Sequence, residues 1–579
     1  MAIFNFDKSH SLGKVRAVDT RRVDIQVNSD EDLRKARVGQ LVALALPGAI
    51  EEWLIGIIDK VIKTPVLEED DELEMEGADE TTSRSLSREI VLNTVRLTLV
   101  GTVRLSTDSR PLFSRSLVQV PEIDGTCHIL RDAQLQAFMS LLSVAGKTDH
   151  SLEMGRYTID ETATAYLDGN KLFQRHASLL GSTGSGKSWT VAAILEQAAK
   201  LPSANLIVFD LHGEYRELTY ARHLRIPGPE ELGKADPSLL FLPYCLLNAE
   251  EMQAMFIDRS EFSAHNQVMA FQDTVVAEKK KTLETLKKNE VLNAFTLDSP
   301  VPFKISDVLA ELDRLNKEMV SGSSGKDKQG PFYGQFSRLL VRLNSKIGDK
   351  RYGFLFQAPD SEYEYDAMAA TMKRLMDYSE SNAQIKVIDF SEVPADILPV
   401  IVGLVARIIY QVQFWTDRGK RKPMAFVCDE AHLYLPKKDG RNPVEQRAIE
   451  NFEKIAKEGR KYGVSLLIVS QQPSDVSTTI LSQCNNVVAL RLTNGDDQAT
   501  VKRFMPESLE GLMDTLPILD VGEALIVGDA VLLPSRIRIH PPKEKPLSAT
   551  IDFWDEWSKK PEIPDLTKAI ENMRRQNRS

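Results

Sequence analysis

Between positions 14 and 61 the runs VRAV, RVDIQV, QLVALAL and WLIGIIDKV alternate with turn-forming or charged residues, and no helical period of useful length interrupts them. That pattern predicts antiparallel strands of a small barrel, completed by a further β-rich run at 90–105. A helix is expected at 132–144. From position 177 the pattern changes to apolar strands, each followed by a helix or a long connection, which marks a parallel α/β sheet. The candidate strands are 177–180, 205–210, 386–390, 424–429, 464–470 and 487–492, and their β-branched, apolar character suits strands covered on both faces. Residues 248–376 are mostly helix-forming and polar, carry the basic run Lys279, Lys280, Lys281, and are broken by SGSSGKDKQG at 321–330. They read as a helical insertion with a flexible joint. Residues 523–539 read as a hairpin turning at Gly528 and Asp529. The expected division is a barrel at 1–110, a connecting segment at 111–153, a core at 154–247 and 377–545, the insertion at 248–376 and a tail at 546–579.

Composition narrows the class. At 579 residues the chain exceeds one hydrophobic core and has room for about three to five domains. A hydrophobic share of 42% with 27% charged excludes a wholly disordered or fibrous chain. The net charge of −11 argues against a polybasic coat, although a local basic channel is compatible with it. The run LEEDDELEMEGADE at 67–80 is expected to stay extended and solvated between two strands. Four scattered cysteines form no CxxC spacing and are expected as reduced thiols. The start MAIFNFDKSHSLGK lacks an apolar signal core. The longest apolar stretch, 397–410, carries Arg407 and is shorter than the roughly 20 residues of a membrane span. A cytoplasmic protein is expected.

The chemistry concentrates in a few motifs. GSTGSGKS, comprising Gly181, Ser182, Thr183, Gly184, Ser185, Gly186, Lys187 and Ser188, fits GxxxxGK[ST] between an apolar strand and a helix-forming run that opens with Trp189. Its backbone N–H groups would surround phosphates, Lys187 would reach the β- and γ-phosphates, and Ser188 would ligate magnesium. MAFVCDE ends in Asp429, suited to hold magnesium through its water shell, and Glu430, suited to accept a proton from attacking water; the pair could also cap the next helix. SQQP places Gln471 and Gln472 after an apolar strand, with Gln472 the candidate near the γ-phosphate or simply a loop start. Arg460 in KEGRKYG and Arg175 beside His176 are candidates for reaching phosphate across a subunit interface, or solvated charges flanking strands. In LPKKDGRN, Lys437, Lys438 and Arg441 could meet phosphates or belong to a solvated loop.

In order and spacing, LFQRHASLLGSTGSGKS, FDLHGEY, FVCDEAH and EGRKYGVSLLIVSQQPSDV resemble the HerA/FtsK superfamily of hexameric DNA motors, and specifically the HerA-type helicases, over 154–540. The start resembles the barrel that HerA proteins place before their motor. The resemblance implies a RecA-like P-loop ATPase core; with the patterns above, the expected fold is α/β with a mostly parallel sheet, an N-terminal small β-barrel and a helical insertion. It implies ATP and Mg2+ as cofactors, a homohexamer around double-stranded DNA, and a partner on the barrel, either a NurA-like nuclease or an antiphage effector such as a sirtuin-like NAD hydrolase. It also implies that Asp210, His212 and Glu214 act near nucleotide or in ring coupling, unless they form a structural turn. The expected function is an ATP-driven DNA translocase or helicase in end processing or antiphage defence. The alternative is a nucleotide-dependent ring scaffold that activates an effector with little translocation. The acidic run and the insertion match no motif of the family.

Overall fold

The computed structural model describes residues 3–46, 52–68, 88–106, 110–117, 119–234, 236–321, 327–377, 379, 383–437, 443–505, 509–548, 551–560 and 566–575. The chain divides into two compact units, one of Met1–Leu172, Ala177–Thr190 and Asn485–Pro541, the other of Phe173–His176, Val191–Cys484 and Pro542–Ser579.

The first unit opens with a barrel of β1 (Ser11–Asp19), β2 (Arg22–Val27), β3 (Leu41–Ala45), β4 (Trp53–Glu68), β5 (Arg88–Leu105), β6 (Pro111–Ser114) and β7 (Thr126–Ile129). The order β2-β1-β7-β3-β4-β5 closes through a β2–β5 pairing, with β6 beside β5. Alternation decides what fills it: Val23, Ile25 and Val27 of RVDIQV point inward to meet Val15, Val42, Leu44, Leu54, Ile58, Val95, Leu97 and Ile129. The barrel boundary expected at 110 is too early. β6 and β7 lie in the supposed connecting segment, and each has only four residues, too few for alternation to show; Cys127, wholly buried, is part of the core. β4 and β5 outrun the barrel: β2 leaves β5 at Val27↔Asn93, whereas β4 and β5 pair on to Glu68↔Arg88. Of the acidic run, 69–80 lies outside the described residues. The helix Asp132–Gly146 follows as expected, burying Phe138, Met139 and Leu142. β8 (Ser151–Tyr157) and β9 (Asp160–Asp168) then form an antiparallel pair, and β10 (Ala177–Leu180) leads into the glycine-rich loop.

The second unit holds β11 (Leu206–Asp210), β12 (Arg222–Arg225), a small hairpin of β13 (Met319–Ser321) and β14 (Asp327–Gln329), β15 (Ile385–Asp389), β16 (Met424–Cys428) and β17 (Val464–Ser470). Its parallel strands run in the order β12-β15-β11-β16-β17. β11, β15, β16 and β17 are buried along their whole length, as their sequences require. The insertion is helical, with helices including Ala249–Phe256, Ala264–Thr285, Ile305–Lys317 and Ser337–Gly348. Of the expected joint, Ser321 and Asp327–Gln329 are strand, and 322–326 lie outside the described residues. The helix Leu398–Trp415 is apolar and long enough by composition to cross a membrane, yet it packs within the unit with Pro399 to Tyr410 buried.

The first unit is completed by β18 (Asn486–Leu490), β19 (Glu523–Val527) and β20 (Ser535–Ile539). β10 pairs with β18 in parallel; β18, β19, β20 and β8 then follow in antiparallel sequence. The expected hairpin at 523–539 is present, with residues 528–534 as its connection. All four cysteines are buried and unbridged.

Candidate active-site residues

In the first unit the loop Gly181–Ser188 leaves the buried strand β10, and the helix Lys187–Ala198 begins on its lysine. Gly184 and Gly186 hold φ of 72° and 102°, which L side chains rarely adopt. A Cβ at Gly181 would sit 2.6 Å from Ser185 Oγ and 2.8 Å from Leu490 Cβ. Neighbouring backbone fixes the loop: Ser182 N donates to Arg491 O at 2.8 Å, and Gly522 N donates to Ser185 O at 3.2 Å. Lys187 is buried, its Nζ donating to Ser182 O at 3.3 Å, and Thr190 Oγ1 donates to Gly186 O at 2.9 Å. Ser185 is wholly buried and its Oγ has no hydrogen-bond partner among the described residues. Thr183 and Trp189 are exposed and Ser188 is half-buried. A loop so shaped at a helix N-terminus suits phosphate.

In the second unit, Asp210 ends β11 and gathers the loop that follows it. Its Oδ1 accepts from the backbone N–H of His212 (3.2 Å), Gly213 (2.8 Å) and Glu214 (3.1 Å), and its Oδ2 from that of Tyr215 (3.0 Å). Burial raises the Asp210 pKa against the pull of these donors. The wholly buried Tyr215 then donates through Oη to Asp429 Oδ2 at 2.9 Å. Asp429, 5% exposed, accepts from Glu430 N on its other oxygen at 3.0 Å. Burial first, then the charges of Glu430 and Glu214, push its carboxyl up to about 8. Glu430 sits at φ 47°, a strained conformation for a non-glycine residue. Gln471 Nε2 donates to its Oε1, and its Oε2 lies 3.4 Å from His432 Nδ1, which in turn lies 3.4 Å from Ser470 Oγ. The arrangement can hold one carboxylate for a cation and orient the next to take a proton from water.

Of the other sequence candidates, Gln472 is exposed and donates only its backbone N–H to Ser470 Oγ, so it is Gln471 and not Gln472 that meets Glu430. Both glutamines lie just past β17, where the bend at Gln471 leading into the turn at Pro473 sets which of them meets Glu430, and no sequence pattern distinguishes them. Arg460 is exposed in the turn Gly459–Tyr462, and Arg175 is exposed. Lys437 is half-buried, its N–H donating to Asp475 O, while Lys438 and Arg441 lie outside the described residues. Tyr215 and His432 were missed. Both stand inside quoted motifs, but an aromatic and a lone histidine there read equally well as core.

His176 has a structural role. Its Nδ1 accepts from Leu466 N–H at 2.9 Å, so the ring is neutral and Nε2 donates to Ala456 O at 3.0 Å. Burial lowers its pKa from 6.5 to about 4. Between those values the unfolded chain binds a proton that the folded chain does not, so stability falls as pH drops through this window, by up to roughly 3 kcal/mol. His176→Gln is expected to lower stability at pH 7 yet flatten its pH dependence between 4 and 6.5. Denaturant titrations at several pH values check this, and parallel curves for the two proteins would contradict it.

Residues 152–409 match the family model for the central domain of helicase HerA, and residues 402–545 match the model for the HerA-like C-terminal domain, together more than half of the chain. The chain belongs to the HerA helicase family. The DNA double-strand break repair helicase HerA of Saccharolobus solfataricus is 26% identical to this HerA-family chain over 404 residues, 69% of this chain and 70% of that protein. Its counterpart in Pyrococcus furiosus is 27% identical over 428 residues, 68% and 70% of the two chains. Alignments with such relatives span between 66% and 76% of the relatives' length. The solved structure of VirB4 of Thermoanaerobacter pseudethanolicus aligns at a TM-score of 0.47 with 17% identity, covering 68% of this chain and 97% of that one. The barrel precedes both matched segments.

As a HerA-family protein the chain is a P-loop ATPase whose cofactors are ATP and Mg2+. Its residues fit both. The loop presents backbone N–H groups and Lys187 for phosphates. Asp429, crowded by Glu430, Glu214 and Asp210, is a carboxylate whose repulsion a divalent cation would offset.

Proposed function

We propose that the chain is an ATP-driven motor that moves along double-stranded DNA as a cytoplasmic ring of six copies, with an effector enzyme docked on its barrel. The observation that carries this reading is the arrangement at Glu430 in a HerA-family chain: a strained backbone and a donor from Gln471 aim a carboxylate that a binding-only switch would not need. The HerA relatives are named for double-strand break repair, which favours DNA as the track. On the glycine-rich loop, Lys187 would hold phosphate and Ser188 would ligate Mg2+; after β16, Asp429 would hold Mg2+ through its water shell and Glu430 would take the proton of the attacking water. When bound, Mg2+ neutralises charge on the phosphates. The partner is a NurA-like nuclease in end processing or an antiphage effector in defence. The barrel favours this role because it carries no catalytic motif and is joined to a complete ATPase. Lys437, Lys438 and Arg441 are the candidate phosphate contacts in the channel.

Duplex DNA is expected to stimulate ATP hydrolysis several-fold, because a motor couples its two ligands. A rate indifferent to duplex DNA would turn the reading toward the scaffold.

Arg460 is the residue proposed to act from one copy on the nucleotide of the next. Arg460→Ala is expected to lose at least 100-fold in hydrolysis while still binding ATP, since such a group stabilises transition-state charge. Mixing it with Lys187→Ala subunits should restore activity where an intact Arg460 meets an intact Lys187. Mixed rings that stay inactive would contradict action in trans.

A further inference from the structure

The loop Leu211–Glu214 and the carboxylate Asp429 come from different strands, β11 and β16, yet one phenol joins them. We propose that Tyr215 is a positioning residue for magnesium: its hydroxyl fixes the Asp429 carboxylate, so that the loop after β11 and the cation-holding oxygen form one rigid element. This deepens the ATPase reading and rests on it.

The geometry supports the assignment link by link. Asp210 takes four backbone N–H groups from His212 to Tyr215, which leaves the loop little freedom. The Tyr215 ring is wholly buried, so its hydroxyl has one place to point, and it meets Asp429 Oδ2 at 2.9 Å. Glu430 N holds Oδ1 at 3.0 Å. Each carboxylate oxygen thus accepts one protein hydrogen bond and keeps lone pairs for the water shell of a cation.

The residue type matters as much as the contact. Asp429 has Glu430, Glu214 and Asp210 as charged neighbours. A lysine or arginine in place of Tyr215 would satisfy Asp429 but would also supply the positive charge that the cation must bring. A phenol orients the carboxylate and adds no charge. A hydrogen bond to a charged group is among the stronger ones in a protein, so its loss should be felt at the cation first.

The test uses the full-length protein and Mg2+ itself. Binding of a fluorescent ATP analogue is measured with and without Mg2+, the half-saturating Mg2+ concentration is read from both binding and hydrolysis, and thermal melting is followed alongside. Tyr215→Phe keeps the ring and removes one oxygen. It is expected to raise the Mg2+ requirement about tenfold, with Mg2+-free nucleotide binding and kcat at saturating Mg2+ close to wild type and a melting temperature lowered no further than Tyr244→Phe lowers it. Tyr244→Phe is the control: it also removes a buried hydroxyl, one that donates to Phe303 O at 2.6 Å in the insertion, and should leave the Mg2+ requirement unmoved. An unchanged Mg2+ requirement in Tyr215→Phe overturns the proposal. So does equal loss of Mg2+-free binding and melting temperature, or failure of Tyr215→Phe to fold where Tyr244→Phe folds, since each would make the hydroxyl merely structural. Wild-type protein that bound nucleotide without any response to Mg2+ would instead overturn the ATPase reading, and the two failures are distinct.

Discussion

Glu430→Gln is expected to slow ATP turnover by about 100- to 10,000-fold while the nucleotide stays bound. The amide keeps the volume of the side chain and its contact with Gln471, so the strained backbone at φ 47° has the same neighbours to hold it. What is lost is the capacity to accept a proton. Binding and chemistry should therefore separate: nucleotide affinity near wild type, with hydrolysis nearly absent in single-turnover measurements. Lys187→Ala supplies the contrast, because the phosphate contact itself is removed and binding should weaken together with hydrolysis. Turnover at the wild-type rate in purified Glu430→Gln would remove Glu430 from its assigned role.

The second large effect concerns stability. Glu251→Ala is expected to destabilise the second unit by about 3–5 kcal/mol, the range for breaking a buried ion pair from one side. Arg407 lies in the middle of the apolar helix Leu398–Trp415, and its Nε and Nη2 each donate to Glu251 at 2.7 Å while Nη2 also donates to Leu246 O. The two side chains are 8% and 2% exposed. Glu251 further completes a capping box with Asn248 at the start of the first insertion helix, so the substitution removes a cap as well as a counter-charge. Arg407→Met with Glu251→Leu should recover much of the loss, because no charge is then left buried. Denaturant midpoints of the three proteins check this, and a loss below about 1 kcal/mol in Glu251→Ala would show that water or rearrangement satisfies Arg407.

The strands buried on both faces were legible because burial demands a continuous apolar run: VSLLIVS and MAFVC can hardly be read otherwise. β12, RHLR, was not legible; it is the outer strand of the order, beside β15, and carries charges that a central strand would exclude. β9 escaped notice because Ala163 and Ala165 supply much of its inward face, and alanine is a poor marker of a strand; in β8 the register shifts around Gly155 interrupt the alternation. The glycine loop and the pair Asp429–Glu430 are contiguous in sequence and were read as such. The bond from Tyr215 to Asp429 spans 214 positions, and no local pattern encodes a contact that only the parallel order of β11 and β16 creates.

Where β4 and β5 continue past the barrel, their last pairs, Thr64↔Leu92 to Glu68↔Arg88, have no third strand beside them among the described residues. A two-stranded ribbon is marginally stable by itself, and Pro65 removes one amide from it. It can open without disturbing the six-strand ring below, which keeps its own closed set of hydrogen bonds. A force applied to the ends of β4 and β5 is therefore expected to part this ribbon before it strains the closed ring.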